Sequence, residues 1–206
     1  MIEQLILVRH GETLHNVRGI AQGWNDSGFS EVGSSQVRAL AQRLRAFGPT
    51  ALYTSTLERA RATAQAISRE TGLSAIGLDD LREMNCGRWE GMSFLKVRED
   101  DAELYRQWIS DPEACCPGGE SHAGLRRRME KALATIDADD GANARPVVVS
   151  HATAIRVITT SLLELSVESA RAFAQDNAAI NVFTRRGDRF VLKLWNDTMH
   201  CAEGKS

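Results

Sequence analysis

Two short, wholly apolar runs constrain this chain most, because each stops abruptly at a histidine. Leu5-Ile6-Leu7-Val8 gives way to Arg9-His10-Gly11-Glu12, and Val147-Val148-Val149 gives way to Ser150-His151. A run of this length without polar alternation suits a strand covered on both faces, as in parallel sheets flanked by helices. Such runs fall far short of the ~20 residues that a membrane-crossing helix requires. Glu3 stands directly before the first run, with no basic region and no cleavage site, so a secretory signal is not expected.

The remaining pattern alternates helix and strand. Ser30 can cap a helix carried by Val37, Leu40, Ala41, Leu44 and Phe47 and ended by Gly48-Pro49. A strand is predicted over 51–55, a helix over 57–70 that stops at Thr71-Gly72, and a weak strand over 75–78. Helical spacing returns over 94–109, 125–136, 154–165 and 168–174. Strands over 180–184 and 190–195 read as a hairpin turning at Arg185-Arg186-Gly187-Asp188. This order predicts an α/β three-layer sandwich, a mostly parallel central sheet with helices on both faces. One domain over 1–206 is expected, with 92–120 a small helical insertion above the sheet.

Composition removes other classes. The 25 Lys and Arg against 27 Asp and Glu give a net charge of −2, without the basic excess of a nucleic-acid binder. Hydrophobic residues at 43% and charged residues at 25% suit a folded core rather than a disordered chain. The four cysteines, Cys86, Cys115, Cys116 and Cys201, include no CxxC pair and no zinc-finger spacing. They read as reduced thiols of a cytoplasmic protein.

In open α/β sheets ligands bind outside the carboxyl ends of the strands, so His10 and His151 can face one crevice. Arg59 and Arg61 lie in the first turns of the helix after the second strand, which points at that crevice. Arginine forks grip phosphate oxygens through paired hydrogen bonds. Arg61 reads equally well as part of a solvated helix face.

Arg9-His10-Gly11-Glu12-Thr13 with Asn16, then Ser55-Thr56-Leu57-Glu58-Arg59-Ala60-Arg61-Ala62-Thr63-Ala64, resembles the histidine phosphatase superfamily, the phosphoglycerate-mutase-like family. The stretch Leu81-Arg82-Glu83-Met84-Asn85-Cys86-Gly87-Arg88-Trp89-Glu90-Gly91 matches that family's acid-bearing loop. Pro117-Gly118-Gly119-Glu120-Ser121 and Val149-Ser150-His151 match two further signatures, all in family order. The resemblance implies a phosphoglycerate-mutase-like fold and roles for particular residues. His10 is then the nucleophile that takes the phosphoryl group, while Arg9, Arg59 and His151 complete the phosphate pocket. Asn16 is a further donor, and Gln22 and Gly23 lie in a loop that touches the phosphate or the leaving group. Glu83 is the general acid, expected in an apolar setting beside Trp89. Gly11 is expected to clear room where the backbone approaches the phosphate. The sequence departs from the pattern after His151, where Ala152 and Thr153 replace two glycines and Thr153 adds a hydroxyl near the pocket.

The implied activity is hydrolysis of a small-molecule phosphate monoester with no metal and no cofactor, since arginines can neutralise the dianion. The alternative is a cofactor-dependent phosphoglycerate mutase. Against it stand the short insertion and the short tail after the last strand, ending at Ser206. A binding module with a dead site is disfavoured because His10 and Glu83 are both present. No nucleic-acid or membrane partner is expected, while an edge strand could support a homodimer. His15, His122 and His200 carry no motif. Arg126 and Arg127 read as a solvated face, and Arg128 stands where the family places a structural arginine. Glu99-Asp100-Asp101 reads as helix surface, Cys115-Cys116 as free thiols, and Trp108 as core. Trp24, Phe94 and Tyr105 read either as the leaving-group wall or as core.

Overall fold

The computed structural model describes residues 1–141 and 143–202. The last four residues of the predicted tail, 203–206, lie outside the described residues. Six strands form one sheet: β1 (Gln4–Arg9), β2 (Ala51–Ser55), β3 (Ala75–Leu78), β4 (Pro146–Ser150), β5 (Ile180–Arg186) and β6 (Arg189–Asp197). Their order is β3-β2-β4-β1-β5-β6. β1 to β4 run parallel, and the β5–β6 hairpin joins β1 antiparallel.

The lack of alternation in β1 has a direct cause. Leu5 and Leu7 enter one apolar cluster with Val148, Leu125 and Met129, while Ile6 and Val8 enter the other with Val147, Val149 and Leu40. All four side chains are fully buried. At about 1.5–3 kcal/mol for each buried aliphatic side chain, this one strand anchors both layers. Helices α2 (Glu31–Leu44) and α3 (Glu58–Thr71) cover one face; α6 (His122–Asp139) and α7 (Ala152–Leu162) cover the other. The expected three-layer sandwich is thus present. Among the described residues no helix is long and apolar enough to cross a membrane.

Several elements differ from the sequence pattern. The helix expected over 94–109 is two helices, α4 (Phe94–Asp100) and α5 (Ala102–Ser110), broken at Asp101. The Asp101 carboxylate takes the Trp89 indole N–H at 2.7 Å and both its oxygens meet Arg88 at 3.0 Å. An acidic residue read as helix surface is therefore a clamp on the loop before α4. The segment expected to be helical over 168–174 is a 3₁₀ run, Val167–Ala172. α6 starts at His122 because Ser121 caps it, its hydroxyl accepting from the Gly124 N–H. A four-residue helix, α1 (Leu14–Val17), is set by a capping box between Thr13 and Asn16 that the sequence pattern did not reveal.

Packing by itself requires glycine at position 11. A Cβ there would stand 2.5 Å from Val37 Cγ2 and 2.9 Å from the Gly33 carbonyl oxygen, while a Cβ on Gly33 would run into the Glu12 backbone. Two glycines facing each other let α2 press against the loop that follows β1.

Candidate active site

The parallel register of β1 and β4 aligns Arg9 with Ser150, so His10 and His151 emerge side by side at the carboxyl end of the sheet. The His10 N–H donates to the Ser150 carbonyl at 3.2 Å, and the two imidazole centroids stand 5.1 Å apart. His10 Nδ1 lies 2.7 Å from the Gly11 carbonyl, which can only accept, so Nδ1 carries the hydrogen. Nε2 is left with a lone pair, and the Arg59 Nε–H points at it from 3.2 Å. Burial, then Arg59 and Arg9, hold His10 well below the usual imidazole range, against the opposing hydrogen bond to Gly11. His10 is therefore neutral, with its free electron pair directed at an arginine.

Arg59 is fixed from behind. Its Nη1 donates to the Asn25 carbonyl at 2.8 Å and Asp26 Oδ1 at 2.7 Å, and its Nη2 donates to the Gly23 carbonyl at 2.7 Å. α3 has no cap of its own at Leu57. Asp26 supplies one from the loop, accepting the Glu58 N–H at 2.8 Å and the Arg59 N–H at 3.3 Å. Gly23 takes φ +52°, and a Cβ there would collide with the Glu90 carboxylate. The loop that grips Arg59 thus needs glycine at that point.

Arg9 is pushed down to about 10, chiefly by burial, with Glu83 opposing and Arg156 and Arg59 adding to the fall. It donates to the Gln175 carbonyl, while its Nε is buried without a partner among the described residues. His151 is fully buried behind His10, its Nε2 2.8 Å from Ser55 Oγ and its Nδ1 without a partner among the described residues. Burial first, then Arg59, keeps it well below the usual imidazole range.

Glu83 does not sit in the apolar setting expected of it. Trp89 turns to Asp101 and packs edge-on against Trp108, at 5.5 Å between ring centroids. The Glu83 carboxylate instead meets the start of α7. Oε2 accepts the Thr153 N–H at 3.1 Å, and Oε1 accepts the N–H groups of Ala154 at 3.1 Å and Met84 at 2.8 Å. Arg128 holds the loop that carries Glu83, as its family position suggested. All five guanidinium N–H groups are used, two on Glu120 (2.9 and 2.7 Å) and three on the carbonyls of Asp80, Arg82 and Glu83.

Asn16 Oδ1 accepts from the Thr13 N–H, the Thr13 hydroxyl and Asn177 Nδ2. Gln22 Nε2 donates to Thr13 Oγ1 at 2.8 Å. These bonds orient two amides at the rim of a cavity of about 230 Å³. Eight of the nine residues singled out in the sequence line it: Arg9, His10, Asn16, Gln22, Gly23, Arg59, Glu83 and Thr153. The ninth, His151, lies behind the wall. Arg61 is not there; it borders a separate hollow of about 540 Å³ beside β3, with Thr56 and Gly77, that holds none of these paired groups. Phe94 lines the site, whereas Tyr105 and Trp108 pack against the core. Arg156, Cys86 and Ile20 also line it and were missed from sequence. For Arg156 a signal existed, since it follows Thr153 by one helical turn. Among the described residues no three His, Cys, Asp or Glu side chains are grouped to hold a metal ion.

Fold and site together define an α/β protein with a cavity lined by histidine and arginine at the carboxyl ends of its central strands. The chain belongs to the histidine phosphatase superfamily (branch 1), whose family model matches residues 5–198. It is 34% identical to phosphoserine phosphatase 1 of Hydrogenobacter thermophilus over 201 residues, covering 97% of this chain and 95% of that one. It is 35% identical over 203 residues to a probable phosphoglycerate mutase of Yersinia enterocolitica, covering 96% and 94%. A mycobacterial glucosyl-3-phosphoglycerate phosphatase, solved as a complex with VO3, superimposes with a TM-score of 0.86 at 29% identity, over 94% of this chain and 99% of that one.

Proposed function

We propose that this chain is a metal-independent phosphomonoesterase that hydrolyses a small phosphorylated metabolite through a phosphohistidine on His10. The observation that carries the reading is the state of that ring: Nδ1–H tied to the Gly11 carbonyl, and Nε2 without a proton, accepting the Arg59 Nε–H. Neutral imidazole is the nucleophilic form, and its depressed proton affinity keeps it so.

In the first step His10 Nε2 forms a bond to phosphorus, the ester P–O bond breaks, and Glu83 gives a proton to the departing alkoxide. In the second, water attacks the phosphorus, the N–P bond breaks, and the proton lost by water returns to Glu83. Phosphoryl transfer gathers charge on the equatorial oxygens, so the protein's work is positioning and electrostatics. Arg9, Arg59 and His151 are the groups we assign to that charge, with Asn16, Gln22, Gly23 and Thr153 along the cavity wall.

Hydrolysis rather than mutase chemistry is favoured by the relatives named as phosphatases. The working unit we infer is a single domain acting on a small molecule, with α4 and α5 beside the site.

His10→Ala is expected to abolish turnover of p-nitrophenyl phosphate, and Glu83→Gln to slow esters with poor leaving groups far more than that substrate. Activity should persist in EDTA. Full activity of His10→Ala, or its loss from the parent protein in EDTA, would refute the assignment. With 3-phosphoglycerate and catalytic 2,3-bisphosphoglycerate, inorganic phosphate should exceed 2-phosphoglycerate. The reverse would establish the mutase.

A further inference from the structure

Arg156 stands in the wall of the cavity with its guanidinium uncommitted. It makes no hydrogen bond or ion pair with any described residue, and its Nε is buried without a partner. Arg59 is occupied by four acceptors and Arg128 by five, while Arg9, which also has an unpaired Nε, is at least tied to the Gln175 carbonyl. A buried N–H left unpaired is uncommon and points to an acceptor that arrives from outside.

Position says which part of a substrate would supply that acceptor. On α7, Arg156 follows Ala152 by four residues and Thr153 by three, so the three share one face, and the side chain leans toward the helix start. At that start the Thr153 and Ala154 N–H groups hold the Glu83 carboxylate. The group that protonates the leaving oxygen must face the leaving group. Arg156 therefore lies on the leaving-group side, whereas Arg59 lies on His10. Phe94 and Ile20 add apolar surface to the cavity lining.

We infer that Arg156 is a specificity-determining residue that binds a second anionic group, a carboxylate, on the alcohol portion of the substrate. This rests on the phosphomonoesterase reading above and narrows its substrate class to phosphorylated hydroxy or amino acids. A guanidinium fork matches the two oxygens of a carboxylate, and one such charge-assisted contact is worth about tenfold in kcat/KM or more.

The test uses two esters that differ only at the remote end, 3-phosphoglycerate and glycerol 3-phosphate. The parent protein should prefer the acid by at least about tenfold in kcat/KM, chiefly through KM. Arg156→Met should bring that ratio close to one, and Arg156→Lys should restore part of it. Calorimetric titration of both esters into His10→Ala should show the same discrimination without turnover, which covers a poorly folded Arg156→Met. A parent ratio near one, or an Arg156→Met variant that slows both esters equally, would overturn the inference and place Arg156 on the phosphoryl group or nowhere. If neither ester nor p-nitrophenyl phosphate is hydrolysed, the hydrolase reading itself fails, and a titration that still favours the acid would separate the two.

Discussion

Replacing Arg128 by alanine tests how the site is held. The side chain is 15% exposed and its partner Glu120 is 23% exposed, so the pair is largely shielded from solvent. Glu120 Oε2 also accepts the Asn85 N–H at 2.8 Å, which makes the carboxylate a second fastening point for the same loop. Removing one partner of a buried pair costs about 3–5 kcal/mol, because the other charge stays buried and unpaired. Here three carbonyls lose their donor as well, while residual exposure lowers the total, so about 3 kcal/mol is expected. At roughly 2–4 °C per kcal/mol for a chain of this size, the melting temperature should drop by about 6–12 °C. Arg128→Lys supplies three donors for five acceptors and should fall between. Urea denaturation with an unchanged m-value would read the stability loss directly. The loop carries Glu83, so kcat should suffer too, and more for glycerol 3-phosphate than for p-nitrophenyl phosphate, whose leaving group needs less help from an acid. A loss below about 1 kcal/mol with kcat unchanged for both esters would show that the loop is held elsewhere.

Two other outcomes follow from the buried groups. His10 and His151 are both held well below about 6.5, so the unfolded chain binds more protons than the folded one as pH falls past that value. Their contribution is therefore whole above pH 6.5 and lost below it, at up to about 2.7 kcal/mol per pH unit for the two. His122, pushed down to about 4 by burial and by Arg171, adds in the same direction. Urea midpoints at pH 7.5, 6.5 and 5.5 should be level in the first interval and fall in the second; a flat profile would contradict the burial argument. Gly33→Ala places a methyl group against the Glu12 backbone and should destabilise by about 2 kcal/mol or more, seen as a lower melting temperature. An unchanged value would show that α2 can shift without loss.

The architecture and most of the site were legible because they depend on local pattern. Leu5 to Val8 and Val147 to Val149 announce buried parallel strands, and a strand of that kind points its next residue at the crevice. What sequence pattern missed are interactions between segments distant in the chain. Nothing near Asp101 says that Trp89 will bond it, and helical spacing alone runs straight through the break. Gly11 faces Gly33 across 22 positions, so its packing role is invisible until α2 is in place. Glu83 was expected in an apolar setting beside Trp89, yet besides the adjacent Met84 N–H its partners lie 70 and 71 residues away, at the start of α7. Arg156 was overlooked for a different reason: no motif marks it, although its spacing from Thr153 does.

One cause links the site's titration behaviour to its chemistry. Burial lowers Arg9 to about 10 and pushes His10 and His151 further below their usual range, so each of these bases is penalised for carrying a proton. For the histidines the penalty is useful at once, since it preserves the lone pair of Nε2. For Arg9 it is a cost that a dianion entering the cavity would relieve. Arg59 is held mainly by the carbonyls of Gly23 and Asn25 and by Asp26, partners that keep it pointed at Nε2 before any substrate arrives. The Nε–H of Arg59 is thus fixed beside His10 Nε2, 3.2 Å away, by those partners. Donors fixed in that way need no reorganisation during transfer, and preorganised electrostatics is the form of catalysis that a loose phosphoryl transition state can use.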